Sequence, residues 1–320
     1  MLSRPDFIEK QIVVLMVDQR KWLAVKNDNL VVYENKKIVD QLPCAKIFCV
    51  YVIGDCTITT KIIAKLLRYQ ISVYLLTEFL FPRCVIGSQL EGNYILREKQ
   101  YKNEDVLSFA KQLVKNKIAN QWKLIKELRD KDEQQKEAIK KIAELHESIS
   151  DVEAVDSLRG LEGNASKLFF SAYFKEIGRH RRAPRTKEDI LNLLLDIGYS
   201  YLYRFIESNL NLYGFDIYKG FYHTLFFERK SLVCDLVEPW RCIMEKKIRK
   251  MYNLWQVNPK DFNFSQWEYA IKDREKKRHY SKMFFEEIIK YKLDIFDYIK
   301  IYYQMWMKDR ATLPTFYIDQ

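Results

Sequence analysis

Ile47-Phe48-Cys49-Val50-Tyr51-Val52-Ile53-Gly54-Asp55 is the run on which the fold turns. Its β-branched and aromatic residues, closed by a Gly-Asp turn signal, predict a short strand. Ile71-Ser72-Val73-Tyr74-Leu75-Leu76 downstream has the same character, as do Ile12-Val13-Val14-Leu15-Met16-Val17 and Leu30-Val31-Val32-Tyr33 upstream, with Asn27-Asp28-Asn29 as a turn between the last two. Between the strands at 47 and 71, Ile58, Ile62 and Leu66 are spaced for one helix over 57–68. From about Glu104 the period becomes helical throughout: Val106, Phe109, Ala110, Leu113, Lys117, Ile118, Gln121, Trp122 and Ile125 recur at threes and fours. Further helices are expected over 190–210, 232–252, 282–290 and 295–307, and a solvent-exposed, projecting one over the polar segment 127–141. The predicted class is α+β: a β-rich N-terminal domain over 1–100 and a larger all-helical domain over 101–320.

The chain has 320 residues, enough for two ordinary domains, and is 48% apolar and 14% aromatic, which marks a globular protein. A formal charge of +11 favours a polyanionic partner, nucleic acid first and an anionic membrane surface second. The six cysteines (Cys44, Cys49, Cys56, Cys84, Cys234, Cys242) form no CxxC pair and no zinc spacing, so a reducing cytoplasm is the simplest compartment. No apolar signal core and no membrane-length apolar run is present, so the chain is expected to be soluble, neither exported nor membrane-spanning.

Three separated pieces carry chemistry. In Arg159-Gly160-Leu161-Glu162-Gly163-Asn164-Ala165, Glu162 lies beside an apolar helical stripe that Ser157 can cap. Gly163 inside that helix, at a cost of about 1 kcal/mol against Ala, suggests that something approaches closely. His223 follows Gly220-Phe221-Tyr222 among apolar and aromatic neighbours, unlike the other three histidines. In Ser231-Leu232-Val233-Cys234-Asp235-Leu236-Val237-Glu238, Asp235 and Glu238 share one helical face with Arg241, and like-charged acids so placed call for a cation. Pro239 disfavours a helical Glu238 and predicts a kink there. Taken singly, these pieces also read as an exposed helix Glu, a hydrogen-bonded core histidine and a Glu238–Arg241 ion pair. There is no phosphate-binding GxxxxGK[ST] loop, GxGxxG, GxSxG elbow or HExxH helix. One imidazole with carboxylates suits Mg²⁺ or Mn²⁺ better than structural zinc, which wants thiolates.

Basic residues lie close in sequence. Arg179-His180-Arg181-Arg182-Ala183-Pro184-Arg185-Thr186-Lys187 reads as a cationic loop between helices, whereas Lys272 to His279 is diluted by acids and reads as a solvated face. Arg159, Arg181, Arg182, Arg185 and Arg241 are the candidate DNA contacts, holding backbone without reading sequence. Tyr173 and Tyr199 are candidates for stacking on a frayed end, or for core packing.

In order and spacing the chain resembles the CRISPR-associated integrase family, the adaptation endonucleases that insert new spacers into CRISPR arrays. The resemblance rests on the RGxEGxA helix at 159–165, Gly220-x-x-His223, and SLxxDLxE at 231–238 with Arg241. Weaker pieces support it: Gly54-Asp55-Cys56-Thr57, Ile71-Ser72-Val73, Arg97-x-x-Gln100-Tyr101, Lys117-Ile118-x-Asn120-Gln121 and Asn192-x-Leu194 through Gly198-Tyr199. Pro239 departs from the family pattern, and the last 60 residues match only in helical character. The resemblance implies an N-terminal dimerisation domain and a catalytic helical domain. It implies a metal held by Glu162, His223 and Glu238 with Asp235 beside them, and attack of a DNA 3′-hydroxyl on a repeat phosphodiester. It also implies a homodimer that carries protospacer DNA with a small ferredoxin-like adaptation partner. The competing readings are a branched-DNA repair nuclease and a non-catalytic basic DNA-binding scaffold.

Overall fold

The structure, a computed structural model, describes residues 3–17, 21–78, 80, 82–87, 93–177, 181–223 and 226–318. Strands come first and helices after, as the change of period predicts. A short helix α1 (Arg4–Ile8) precedes β1 (Gln11–Met16), and β2 (Lys21–Lys26), β3 (Asn29–Glu34) and β4 (Lys37–Pro43) form an antiparallel meander. β5 (Ile47–Ile53), α2 (Thr60–Arg68) and β6 (Ser72–Leu76) make a parallel crossover, and β7 (Pro82–Ile86) returns antiparallel. The resulting four-stranded sheet has the order β1-β5-β6-β7.

β5 is buried along its whole length. Its alternating side chains serve two cores: Val50 and Val52 meet Ile62 and Leu66 of α2 and Leu23, Leu30 and Val32 of the meander, while Tyr51 and Ile53 face the helices. β2, β4 and β7 were not expected. β4 and β7 are largely exposed edges carrying Lys, Asp, Gln or Pro, so their apolar signal is weak.

The helical part comprises α3 (Tyr94–Lys102), α4 (Val106–Lys126), α5 (Glu133–Ser148), α6 (Val155–Tyr173), α7 (Ile190–Asn211), α8 (Ser231–Val237), α9 (Arg241–Asn253), α10 (Arg274–Lys290) and α11 (Lys292–Met307). Three expectations are corrected here. α5 does not project: Ala138 and Ile142 are buried, and Gln135 donates to the Ala172 carbonyl of α6 at 3.1 Å. Two apolar residues at i, i+4 seat a helix when a glutamine satisfies its neighbour's carbonyl. α6 begins two residues before Ser157, with Ala154 at the N-cap position and no side-chain cap. The second part is not all helical, since β8 (Phe262–Ser265) and β9 (Glu268–Ile271) form a hairpin between α9 and α10.

The sheet is fastened to the helices by aromatics. Phe7 stacks on Phe296 of α11 at 4.3 Å, Tyr51 lies edge-on to Tyr201 of α7, and Tyr74 shares a hydrogen bond with Ser208. At the far end of the chain, Asn116 and Asn120 of α4 exchange hydrogen bonds with the backbone of Phe316 and Ile318. This locks α4 at the centre of the helical layer.

Candidate metal centre

Four elements converge on one face of that layer: α4, α6, the loop carrying His223, and the α8–α9 junction. The loop is built around Asp235, which is wholly buried. Its Oδ2 accepts from the N–H groups of Phe221 (2.6 Å) and Tyr222 (3.1 Å), and its Oδ1 from the N–H of His223 (2.8 Å). Only glycine fits at 220, because a Cβ there would lie 2.6 Å from Asp235 Oδ2 and 2.8 Å from the Ser231 carbonyl carbon. Asp235 Oδ1 also meets His223 Nδ1 at 2.7 Å. A carboxylate there holds Nδ1 and turns Nε2 toward Glu238.

Nε2 lies 3.9 Å from Glu238 Oε1. Pro239 does not expel Glu238 from helical backbone, contrary to the expectation. α8 ends at Val237, Glu238–Trp240 form a 3₁₀ turn, and Glu238 keeps φ −57°, ψ −47°. Proline in a first helical turn lacks only an N–H that needs no partner, so the chain is redirected into α9 rather than broken. The Glu238 side chain is 6% exposed. Burial pushes its carboxyl pKa up, but Arg241, 2.9 Å from Oε1, and Lys117, 2.6 Å from Oε2, outweigh that and hold it at about 2.

Glu162 reaches the same place from α6. Its Oε1 pairs with the Lys117 ammonium and accepts from Ser166 Oγ at 3.2 Å, and Tyr222 Oη approaches Oε2 at 3.5 Å. Lys117 therefore joins Glu162 and Glu238. Its burial disfavours the charged form, yet the two glutamates raise its pKa above the ordinary lysine value. Among the described residues, a Cβ at Gly160 or Gly163 would meet nothing within 4 Å beyond the backbone of α6 itself, so that face is open.

Among the described residues, no three of His, Cys, Asp and Glu form a metal cluster as they stand. The ammonium of Lys117 occupies the point where the carboxylates converge. The donor set itself, two carboxylates and an imidazole whose Nδ1 is held by Asp235, suits a hard divalent ion, and 3.9 Å is within the span of two ligand atoms sharing one ion at about 2.1 Å each. Lys117 was absent from the expected site. Its signal was a lysine in the apolar stripe of α4 with no acid three or four residues away.

The expected DNA contacts divide. Arg159 donates to Asp156 at 2.6 Å and to the Tyr222 carbonyl at 2.8 Å, so it ties α6 to the histidine loop. Arg182 is spent on Asn192 (2.8 Å) and Asp196, and Arg241 lies on Glu238 and over the Tyr199 ring. Arg181 and Arg185 are exposed; Arg179 and His180 lie outside the described residues. Tyr173 and Tyr199 are buried in the core.

Behind the site, Tyr199 Oη donates to Glu245 Oε1 at 2.7 Å. Burial pushes the Glu245 carboxyl up to about 7, against the pull of Tyr199, Lys117 and Arg241. It takes up its proton more readily folded than unfolded, so its favourable contribution is complete below about pH 4.5 and is lost as pH rises through 7. Glu245→Gln keeps the acceptor without the charge. Urea titrations at pH 5 to 8.5 should find the variant gaining on the parent by up to about 3 kcal/mol above neutrality. Parallel pH profiles would contradict this.

The sequence model of the family described as "CRISPR associated protein Cas1" matches residues 14–284. "CRISPR-associated endonuclease Cas1 1" of Thermodesulfovibrio yellowstonii is 31% identical over 268 residues, covering 80% of this chain and 82% of that one. A chain of a Cas6-RT-Cas1–Cas2 complex superposes with TM-score 0.86 at 21% identity over 98% of this chain, which spans 36% of that longer one. A casposase bound to integration product superposes with TM-score 0.79 at 18% identity, over 97% of this chain and 95% of that one.

Proposed function

The chain belongs to the CRISPR-associated protein Cas1 family, and from that premise we propose that it is a divalent-metal-dependent DNA integrase and endonuclease of CRISPR adaptation. The 3′-hydroxyl of protospacer DNA attacks a phosphodiester of the CRISPR repeat, forming a new P–O ester bond as the old one breaks and the strand's own 3′-oxygen leaves with a proton; with water as the nucleophile the same exchange cuts the strand. The observation that carries this reading is the meeting of Glu162 and Glu238 on the buried ammonium of Lys117, with Nε2 of His223 3.9 Å from Glu238 Oε1. The curated relative is named an endonuclease, and the casposase was captured with an integration product.

Glu162, His223 and Glu238 would hold Mg²⁺ or Mn²⁺. The bound ion supplies polarisation of a phosphoryl oxygen and a lowered pKa for the attacking hydroxyl. The chain's own residues prepare that chemistry. Asp235 holds Nδ1 of His223, Arg241 and Lys117 keep Glu238 ionised, and Ser166 and Tyr222 orient Glu162. Arg181 and Arg185 meet the DNA backbone. Residues 1–100 form the dimerisation domain and residues 101–320 the catalytic one. The homodimer works with the small ferredoxin-like adaptation partner, a reading supported by the Cas1–Cas2 complex among the structural neighbours. A chromosomal array as substrate places the work in the cytoplasm.

The test is a joining assay with a 3′-hydroxyl duplex and a supercoiled plasmid bearing a CRISPR array, with and without the partner. Joined product should form with Mn²⁺ and disappear with chelator. Cutting without joining under every condition would favour the repair nuclease, and full activity in chelator would end the metal reading.

A further inference from the structure

The hairpin β8–β9 carries an aromatic ribbon that the site above does not use. Its pairs run Phe262↔Ile271, Asn263↔Ala270, Phe264↔Tyr269 and Ser265↔Glu268, leaving Gln266-Trp267 as a two-residue turn. Phe262 and Ile271 are buried at the base. Toward the tip, Phe264, on the face of Phe262, packs on Tyr269 at 4.8 Å and is half exposed; Trp267, in the turn itself, is 85% exposed.

Gln266 and Trp267 both have left-handed backbone, at φ +50° and +64°. A turn of that kind favours Asn-Gly, since a side chain there is crowded against its own carbonyl. Trp267 is therefore disfavoured by its backbone and by its solvent-exposed ring. The backbone is what a two-residue hairpin turn requires, and Asn35-Lys36 adopts it between β3 and β4 as well, so the feature that folding leaves unused is the large ring held in solvent.

The hairpin is fastened to the basic loop. Tyr269 N–H donates to the Lys187 carbonyl at 2.9 Å, and the Lys187 ammonium pairs with Glu268. The same loop carries Arg181, 77% exposed and only 3.4 Å from Glu188 at its nearest, and the exposed Arg185. Its root reaches the candidate centre, because Arg182 and Arg241 lie over one Tyr199 ring at 5.5 and 4.8 Å, and Arg241 holds Glu238.

We infer that Trp267, together with the exposed Phe264 of the same hairpin, is a stacking platform for unpaired bases of a single DNA strand whose phosphates are held by Arg181 and Arg185. Aromatic rings beside a cationic groove are the combination that binds single strands without sequence preference, whereas paired bases present no free face for stacking. The inference rests on the DNA-processing reading and adds to it a place for an unpaired end.

Trp267→Gly removes the ring and relieves the turn, so the variant should melt no lower than the parent. Its affinity for a fluorescein-labelled dT12 strand, read by anisotropy at fixed salt, should fall about tenfold. Trp267→Phe should stay within about threefold, and affinity for a blunt duplex should not change in either variant. Unchanged dT12 binding by Trp267→Gly would overturn the platform alone. Equal losses for strand and duplex would also overturn it, as a general backbone contact. If the parent protein binds neither DNA, the proposed function falls and the platform falls with it.

Discussion

Glutamine at Glu238 is expected to lower metal-dependent strand joining by about a thousandfold, equivalent to about 4 kcal/mol of transition-state stabilisation. Gln keeps the shape of the side chain and removes the charge that the ion needs. It also leaves Lys117 and Arg241, both held within 3 Å of this carboxylate, without their common anion. Glu238→Gln should therefore lose stability as well, and its folding must be followed by thermal melting. Glu162→Gln separates the two effects. Glu162 is 20% exposed and keeps its Ser166 hydrogen bond as an amide, so activity should fall as far while the melting temperature moves much less. His223→Ala should match Glu162→Gln. A Glu162→Gln protein that joins DNA at the parent rate would remove Glu162 from the site.

Methionine at Lys117 should produce the second large effect, and it is a stability effect. Lys117 is 11% exposed on its side chain and is the cation shared by Glu162 and Glu238. Removing one member of a buried ionic cluster costs about 3–5 kcal/mol, because the remaining like charges lose their compensation. Lys117→Met should melt well below the parent in chelator. It should recover a larger share of that loss on adding Mn²⁺ than the parent gains, since binding to the folded state alone stabilises by mass action. Equal melting temperatures in chelator would show that the cluster is not held by this lysine. A deficit that Mn²⁺ leaves untouched would show that the carboxylates do not take up the ion.

The strands at 12–17, 30–33, 47–53 and 71–76 were legible because each is a run of β-branched or aromatic residues with a turn signal nearby. β4 and β7 were not, because edge strands carry polar residues. The hairpin β8–β9 was hidden for a related reason: four-residue strands of mixed composition, Phe-Asn-Phe-Ser and Glu-Tyr-Ala-Ile, do not establish a period. In α5 the polar majority masked the two residues that seat it. At the candidate site, Glu162, His223, Asp235 and Glu238 stood out by residue type and spacing, but the division of labour among them did not. Asp235 gives both oxygens to the histidine loop, whereas Glu238, three residues on, faces Lys117 and Arg241.

Sequence by itself determined the order of strands and helices, the basic character of the chain and its likeness to one family, since these are properties of neighbouring residues and of their spacing. Only the tertiary structure decided which charges meet. Lys117 and Glu162 are 45 residues apart along the chain, and Lys187 and Glu268 are 81 apart. Electrostatic attraction acts through space and is strengthened where water is excluded. The cation between the two glutamates, and the hairpin fastened to the basic loop, exist only once α4, α6, α7 and α9 have packed.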